Sequence, residues 1–154
     1  MSVDYEINSR VAIVTGASSG MGLASAKELA QQGVNLILVS RSKEKLTQAK
    51  KEILALADVE IEVLSGNVIE KKLPLKAVEL AIAKWNKVDI LINNAGGPPM
   101  GSFLEHDDEV WDEVLEQNLK SVIRFTRAVI PMMIENKWGR IINITSTLAK
   151  EPTA

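Results

Sequence analysis

The sequence predicts an α/β fold, a doubly wound parallel sheet in three α/β/α layers. Short runs of branched aliphatics alternate with longer stretches of helical spacing, the pattern of parallel strands joined by crossover helices. Several of the short runs are apolar at consecutive positions, as strands covered on both faces must be. The 154 residues are 46% hydrophobic with a net charge of -2, which suits one globular domain with a sizeable core.

The elements follow in order. Val11 to Thr15 is the first strand, and a glycine-rich segment separates it from a helix over Met21 to Gln32. Asn35 to Val39 is the second strand, followed by a helix over Lys43 to Leu56. After a third strand, Glu60 to Leu64, a helix spans Leu73 to Lys87 with Leu75, Val78, Ile82 and Trp85 as its apolar face. Asp89 to Asn93 is the fourth strand, and Gly96-Gly97-Pro98-Pro99-Met100-Gly101 reads as a loop beside its end. A long helical stretch runs from about Asp107 to Asn136, where Pro131 is expected to kink or interrupt it. Arg140 to Ile144 is the fifth strand. No repeat, low-complexity tract or linker divides the chain, so residues 1–154 read as a single domain. With so little chain after an interior-type strand, the fold is expected to be C-terminally incomplete, with an apolar edge that favours association.

Composition removes several functions. The 18 Lys plus Arg and 20 Asp plus Glu are intermingled, which gives no basic field for nucleic acid. With no cysteine and a single histidine, His106, disulfides, thiol nucleophiles and Cys/His zinc sites are excluded. Glu105, Asp107, Asp108 and Glu109 read as first-turn residues favoured by the helix dipole rather than as a metal site. His106, Trp111 and Trp138 read as a loop histidine and two packing aromatics. The start, Met1 to Glu6, has neither a basic end nor an apolar stretch, and runs such as Leu36 to Val39 are too short to cross a bilayer. A cytoplasmic protein with no membrane partner is the expectation.

The chemistry is concentrated in Thr15-Gly16-Ala17-Ser18-Ser19-Gly20-Met21-Gly22, between the first strand and the first helix. Glycines allow the tight turn and clear side chains from a pyrophosphate, while the N–H groups of the helix start attract its charge. NAD-binding domains usually place a carboxylate for the ribose hydroxyls at the end of the second strand. Here Ser40 stands there, followed by Arg41, whose guanidinium suits a 2'-phosphate. These residues predict a dinucleotide-binding Rossmann-type sheet, strand order 3-2-1-4-5, that takes NADP in preference to NAD. The cofactor is expected to cross the strand ends near the first and fourth strands, where the winding reverses.

Three further segments join the glycine loop: Asn93-Asn94-Ala95-Gly96, Glu116-Gln117-Asn118-Leu119 and Gly139-Arg140-Ile141-Ile142-Asn143-Ile144-Thr145-Ser146. With these four motifs in this order from Thr15 to Ser146, the chain resembles the short-chain dehydrogenase/reductase family. The resemblance implies that Asn94, Ala95 and Gly96 support the sheet and lie against the adenosine side of the cofactor. It implies catalytic roles for Asn118, which loosens its helix and holds a water in the proton relay, and for Ser146, which hydrogen-bonds the substrate carbonyl. Where the family commonly has an Asp against the adenine amino group, this chain has Asn67, beside Val68, and an amide oxygen can still accept that bond.

The family's Tyr-x-x-x-Lys, which moves the proton and holds the nicotinamide ribose, normally follows the serine, but the one tyrosine of this sequence is Tyr5. The segments Gly96-Gly97-Pro98-Pro99 and Lys150-Glu151-Pro152 resemble a branch of 3-oxoacyl-carrier-protein-reductase-like members. The resemblance therefore implies hydride transfer between nicotinamide and a small carbonyl or secondary alcohol, most plausibly of 3-oxoacyl type, with negligible turnover by this chain alone. Its long fourth helix resembles the family's subunit-contact helix, which implies a homo-oligomer or a complementing chain. The alternative is a non-catalytic dinucleotide-binding or assembly module.

Overall fold

Five parallel strands form one sheet: β1 (Val11–Thr15), β2 (Asn35–Ser40), β3 (Ile61–Ser65), β4 (Ile90–Asn93) and β5 (Arg140–Asn143). Their spatial order is β3-β2-β1-β4-β5, as the sequence predicts. The computed structural model describes residues 5–97, 99, 101–147 and 150. Pro98 and Met100 of the loop after β4, and Glu151 and Pro152 near the end, lie outside the described residues.

Register turns the alternation of side chains into two apolar layers. Ile37, Ile13, Leu91 and Ile141 stand side by side across β2, β1, β4 and β5. Helices α3 (Leu73–Trp85) and α5 (Ser121–Glu135) cover this face through Leu73, Ala77, Ala81, Phe125 and Val129. On the other face, Leu36, Leu38, Ala12, Val14, Ile90 and Ile92 meet α1 (Gly20–Gln31) and α2 (Lys43–Leu54) through Ala26, Ala30, Leu46, Ala49 and Ile53. The small residues let the helix axes approach the sheet closely.

Local signals set the helix ends. Ser42 caps α2, its Oγ accepting from Lys45 N at 3.2 Å. Pro74 occupies the first turn of α3, where its missing N–H costs nothing, and Asn86 ends that helix in the left-handed region at φ 55°. Asp107 caps α4 (Asp108–Leu115) by accepting from Val110 N, and Glu105 closes a capping box with Ser102. The acidic cluster thus serves helix starts.

Two expectations about helices need correction. Of the expected apolar face of α3, Val78 is buried and Trp85 packs partly buried against the core, but Leu75 and Ile82 are 57% and 37% exposed, and the packed face is completed by Leu73, Ala77 and Ala81. Choosing the bulkiest residues misplaces the stripe, because a helix close to a sheet presents its small ones. Pro131 does not end the fourth stretch: α5 continues past it to Glu135. The stretch is irregular earlier as well, in a π-helical turn at Glu116–Lys120 between α4 and α5.

At the end of the sheet opposite the glycine loop, the buried Asp89 carboxylate accepts from Arg10 at 3.0 Å and from Val11 N at 2.9 Å. This joins the starts of β1 and β4 and leaves no buried charge unpaired. Trp138 lies between the Arg10 and Arg140 guanidinium groups, 3.9 and 4.7 Å from its ring centre. Trp111, by contrast, is 40% exposed and packs on the surface against Phe103. Among the described residues, no helix is long and apolar enough to cross a membrane.

Candidate functional site

A cleft of about 310 Å³ opens at the C-terminal ends of the strands, where the winding of the sheet reverses between β1 and β4. Gly16, Ser18, Ser19 and Met21 line one side, Ser40 and Arg41 the outer end, Asn67 and Val68 a third wall, and Asn94, Ala95 and Gly96 the floor toward β4. Sequence reasoning thus found most of the lining, and it missed Gly66 and Gln117. Gly66 precedes the noted Asn67, so proximity was a usable signal; Gln117 is brought in by the π-helical turn, which spacing does not reveal.

The cleft is shaped by what is missing from its glycines. Gly16 sits at φ +65°, a conformation disfavoured for other residues, and a Cβ there would stand 2.7 Å from Asn94 Nδ2. A Cβ on Gly22 would run into the Gly16 carbonyl. Gly22 is therefore buried support, Gly20 gives the turn its second left-handed residue, and neither lines the cleft. Ser19 begins α1 in extended conformation with no side-chain cap bond. The helix start therefore presents its backbone N–H groups toward the loop rather than to its own side chain.

Thr15 is likewise a support. Its hydroxyl donates to Ile92 O at 3.3 Å and accepts from Asn94 N at 2.9 Å and Ala95 N at 3.1 Å. Asn94 returns the tie, donating through Nδ2 to the carbonyls of Thr15 and Gly16. The ends of β1 and β4 are stitched together directly beneath the cleft. At the outer end, the Ser18 and Ser40 hydroxyls share a hydrogen bond of 2.8 Å, and Ser65 Oγ donates to the Arg41 carbonyl. The exposed Arg41 side chain has no ion-pair partner among the described residues. Asn67 Oδ1 accepts a 3.3 Å bond from Ile69 N, so one lone pair of the amide oxygen stays available.

Asn118 stands in the π-helical turn. Its Nδ2 donates to Val114 O and its Oδ1 accepts from Gly97 N, each at 2.9 Å. Gln117 adds a longer bond from Nε2 to Gly97 O. Both ends of the Asn118 amide are occupied, so the turn grips the loop that follows β4. Ser146 is exposed two residues beyond Ile144, whose N–H still pairs with Asn93 O at 2.8 Å. It does not line the cleft itself.

Residues 10–154 match the short chain dehydrogenase family. The chain belongs to this family. An uncharacterised oxidoreductase of Staphylococcus saprophyticus is 35% identical over 148 residues, covering 96% of this chain and 63% of that relative. The 3-oxoacyl-[acyl-carrier-protein] reductase of Thermotoga maritima is 35% identical over 142 residues, 92% of this chain and 57% of its own. The crystal structure of L-sorbose reductase from Gluconobacter frateurii, complexed with NADPH and L-sorbose, superposes with a TM-score of 0.90 at 31% identity, covering 96% of this chain and 56% of that one. The chain thus spans between about half and two thirds of the length of these relatives.

Proposed function

We propose that this chain is the cofactor-binding portion of an NADP-dependent oxidoreductase that interconverts a carbonyl and a secondary alcohol, with a 3-oxoacyl-type compound as the substrate class. The observation that carries the reading is the cleft itself, with a glycine-rich loop at its centre and, at its outer end, a guanidinium with no ion-pair partner among the described residues. This donor set fits a dinucleotide carrying an extra phosphate. Support for the cofactor comes from the NADPH in the sorbose reductase structure, and support for the substrate class from the thermotogal reductase.

Bound NADPH would supply the hydride. Within the chain, Gly16, Ser18, Ser19, Gly20, Met21 and Gly22 shape the pyrophosphate position, with Thr15 beneath them. Arg41, beside Ser40, holds the 2'-phosphate, a bidentate partner for a guanidinium. Asn67 and Val68 flank the adenine, and Asn94, Ala95 and Gly96 its ribose. Ser146 orients the substrate oxygen as charge builds on it, and Asn118 keeps the neighbouring backbone in place for a proton path. The sequence has no tyrosine other than Tyr5, which precedes β1. General acid-base work contributes roughly 100- to 10,000-fold, so the 154-residue chain alone is expected to bind cofactor and turn over negligibly. Self-association and a cytoplasmic setting belong to the same reading.

The test is a titration of the chain with NADPH and NADH, followed through tryptophan quenching and cofactor emission. NADPH is expected to bind about tenfold or more tightly than NADH, and Arg41→Ala is expected to erase the difference while leaving NADH unchanged. Equal affinities in the unaltered chain would refute the assignment of Arg41. Absence of saturable binding to either dinucleotide would refute the cofactor reading of the chain.

A further inference from the structure

The π-helical turn does more than carry Asn118. Its first three residues, Glu116, Gln117 and Asn118, each reach a different partner. Asn118 accepts from the Gly97 N–H and Gln117 donates to the Gly97 carbonyl, both in the loop after β4. Glu116 faces the opposite way. One of its carboxylate oxygens lies 2.7 Å from Arg124 and the other 2.8 Å from Lys120. The Arg124 guanidinium, whose side chain is only 19% exposed, also donates to Ile69 O at 3.4 Å.

Ile69 follows Asn67 and Val68, the wall of the cleft after β3. This wall has few ties of its own. Glu70 folds back so that its carboxylate accepts from Asn67 N and its N–H donates to Asn67 O. Val68 belongs to the buried core cluster that also holds Leu73 and Phe125. Arg124 links this wall to the π-helical turn across 55 positions in sequence. The loops after β3 and β4 are therefore held by Arg124 of α5 and by the π-helical turn it is paired with, and neither Glu116 nor Arg124 lines the cleft.

We propose that Arg124, oriented by Glu116, is a positioning residue for the nucleotide: it holds the Asn67–Val68–Ile69 wall in place, so that cofactor affinity depends on a side chain that touches no part of the cofactor. The inference rests on the NADP reading for its ligand, and on the geometry alone for the wall it fixes. Both contacts are made by Arg124 Nη1, which carries two N–H groups in a fixed plane, one for the carboxylate and one for the carbonyl. Lysine, a single point charge, keeps the ion pair and shares itself less well.

The experiment combines NADPH titration with amide hydrogen exchange on the full chain. In Arg124→Met, NADPH affinity is expected to fall by about tenfold, the size of effect that loss of a charge-assisted bond produces. Exchange at the Ile69 and Glu70 amides should quicken while β1 and β2 stay protected. Arg124→Lys is expected to recover most of the loss. Glu116→Gln, which keeps the guanidinium and removes its anchor, should give a smaller loss of the same kind, and it tests the proposal where Arg124→Met fails to fold. Arg127→Met, an exposed cation on the same helix, serves as the control and should change neither readout. Unchanged affinity with unchanged exchange at Ile69 and Glu70 would overturn the proposal, and so would a uniform loss of protection across the sheet, the mark of a merely structural role. Should the unaltered chain bind no NADPH, the cofactor reading fails by itself; exchange in the 67–70 wall still decides the role of Arg124.

Discussion

β1 and β5 both carry branched aliphatics at their centres, in Val-Ala-Ile-Val-Thr and Arg-Ile-Ile-Asn, and live in different surroundings. All five residues of β1 are buried, whereas in β5 only Ile141 is partly covered and Ile142 is 48% exposed. The difference comes from position. β1 has a strand on each side and helices on both faces, while β5 has one neighbouring strand and, among the described residues, a helix packed on one face. What pins β5 is polar: Asn93 Nδ2 donates to Asn143 Oδ1 at 2.9 Å across the two strand ends, and Trp138 lies just before the strand between Arg10 and Arg140. Hydrophobic pattern proposes a strand, and the neighbours decide how much of its stabilisation is realised.

The largest effect should come from attacking this contrast directly. Ile13→Ala, at the centre of the sheet, is expected to cost roughly 2–5 kcal/mol, read from urea unfolding. Ile142→Ala on β5 should cost less than about 1 kcal/mol, since much of that side chain already meets water. Equal losses would mean that β5 is covered in solution by something outside the described structure. Next in size is Thr15→Val, which keeps the shape of a buried residue and removes the hydroxyl that Asn94 N and Ala95 N donate to. Stranding these donors is expected to cost about 1–3 kcal/mol, and NADPH binding should weaken in parallel because the floor of the cleft loosens.

The smallest effect is a titration at the π-helical turn. Arg124 and Lys120 hold the Glu116 carboxyl down at about 2, through hydrogen bonds first and charge second. A depressed carboxyl stabilises the folded chain above its unfolded value of 4.5, and that contribution is lost as pH falls from there toward about 2. An NMR titration of the side chain should therefore show a midpoint near 2 in the unaltered chain, and one displaced toward the ordinary carboxylate range in Arg124→Met. A normal midpoint before any substitution would show that the pair does not persist in solution.

Much of this was legible in the residues. Branched runs located all five strands to within a residue or so at each end, because strands buried on both faces need apolar side chains at every position. The glycine loop was legible because only glycine fits at Gly16 and Gly22, and Arg41 was legible as a residue of the cleft because it follows the end of β2. The packed face of α3 was not, since Ala77 and Ala81 carry little hydrophobic weight in a pattern although they make the close contact. Nor were the roles of Gln117 and Arg124, which depend on Gly97 and Ile69, residues distant in the chain that meet only after the sheet is wound.

By itself, then, the amino-acid sequence determined the strands of the parallel sheet and the position of the glycine loop, because these follow from periodicity and turn chemistry, and the Rossmann-type pattern carried the strand order with it. Only the tertiary structure decided which small residues complete the buried face of α3, how Thr15 and Asn94 join β1 to β4, and how the π-helical turn and Arg124 of α5 reach the loops after β4 and β3. Those features are contacts between segments far apart in the chain, and their partners are chosen by packing distance, which no local pattern encodes.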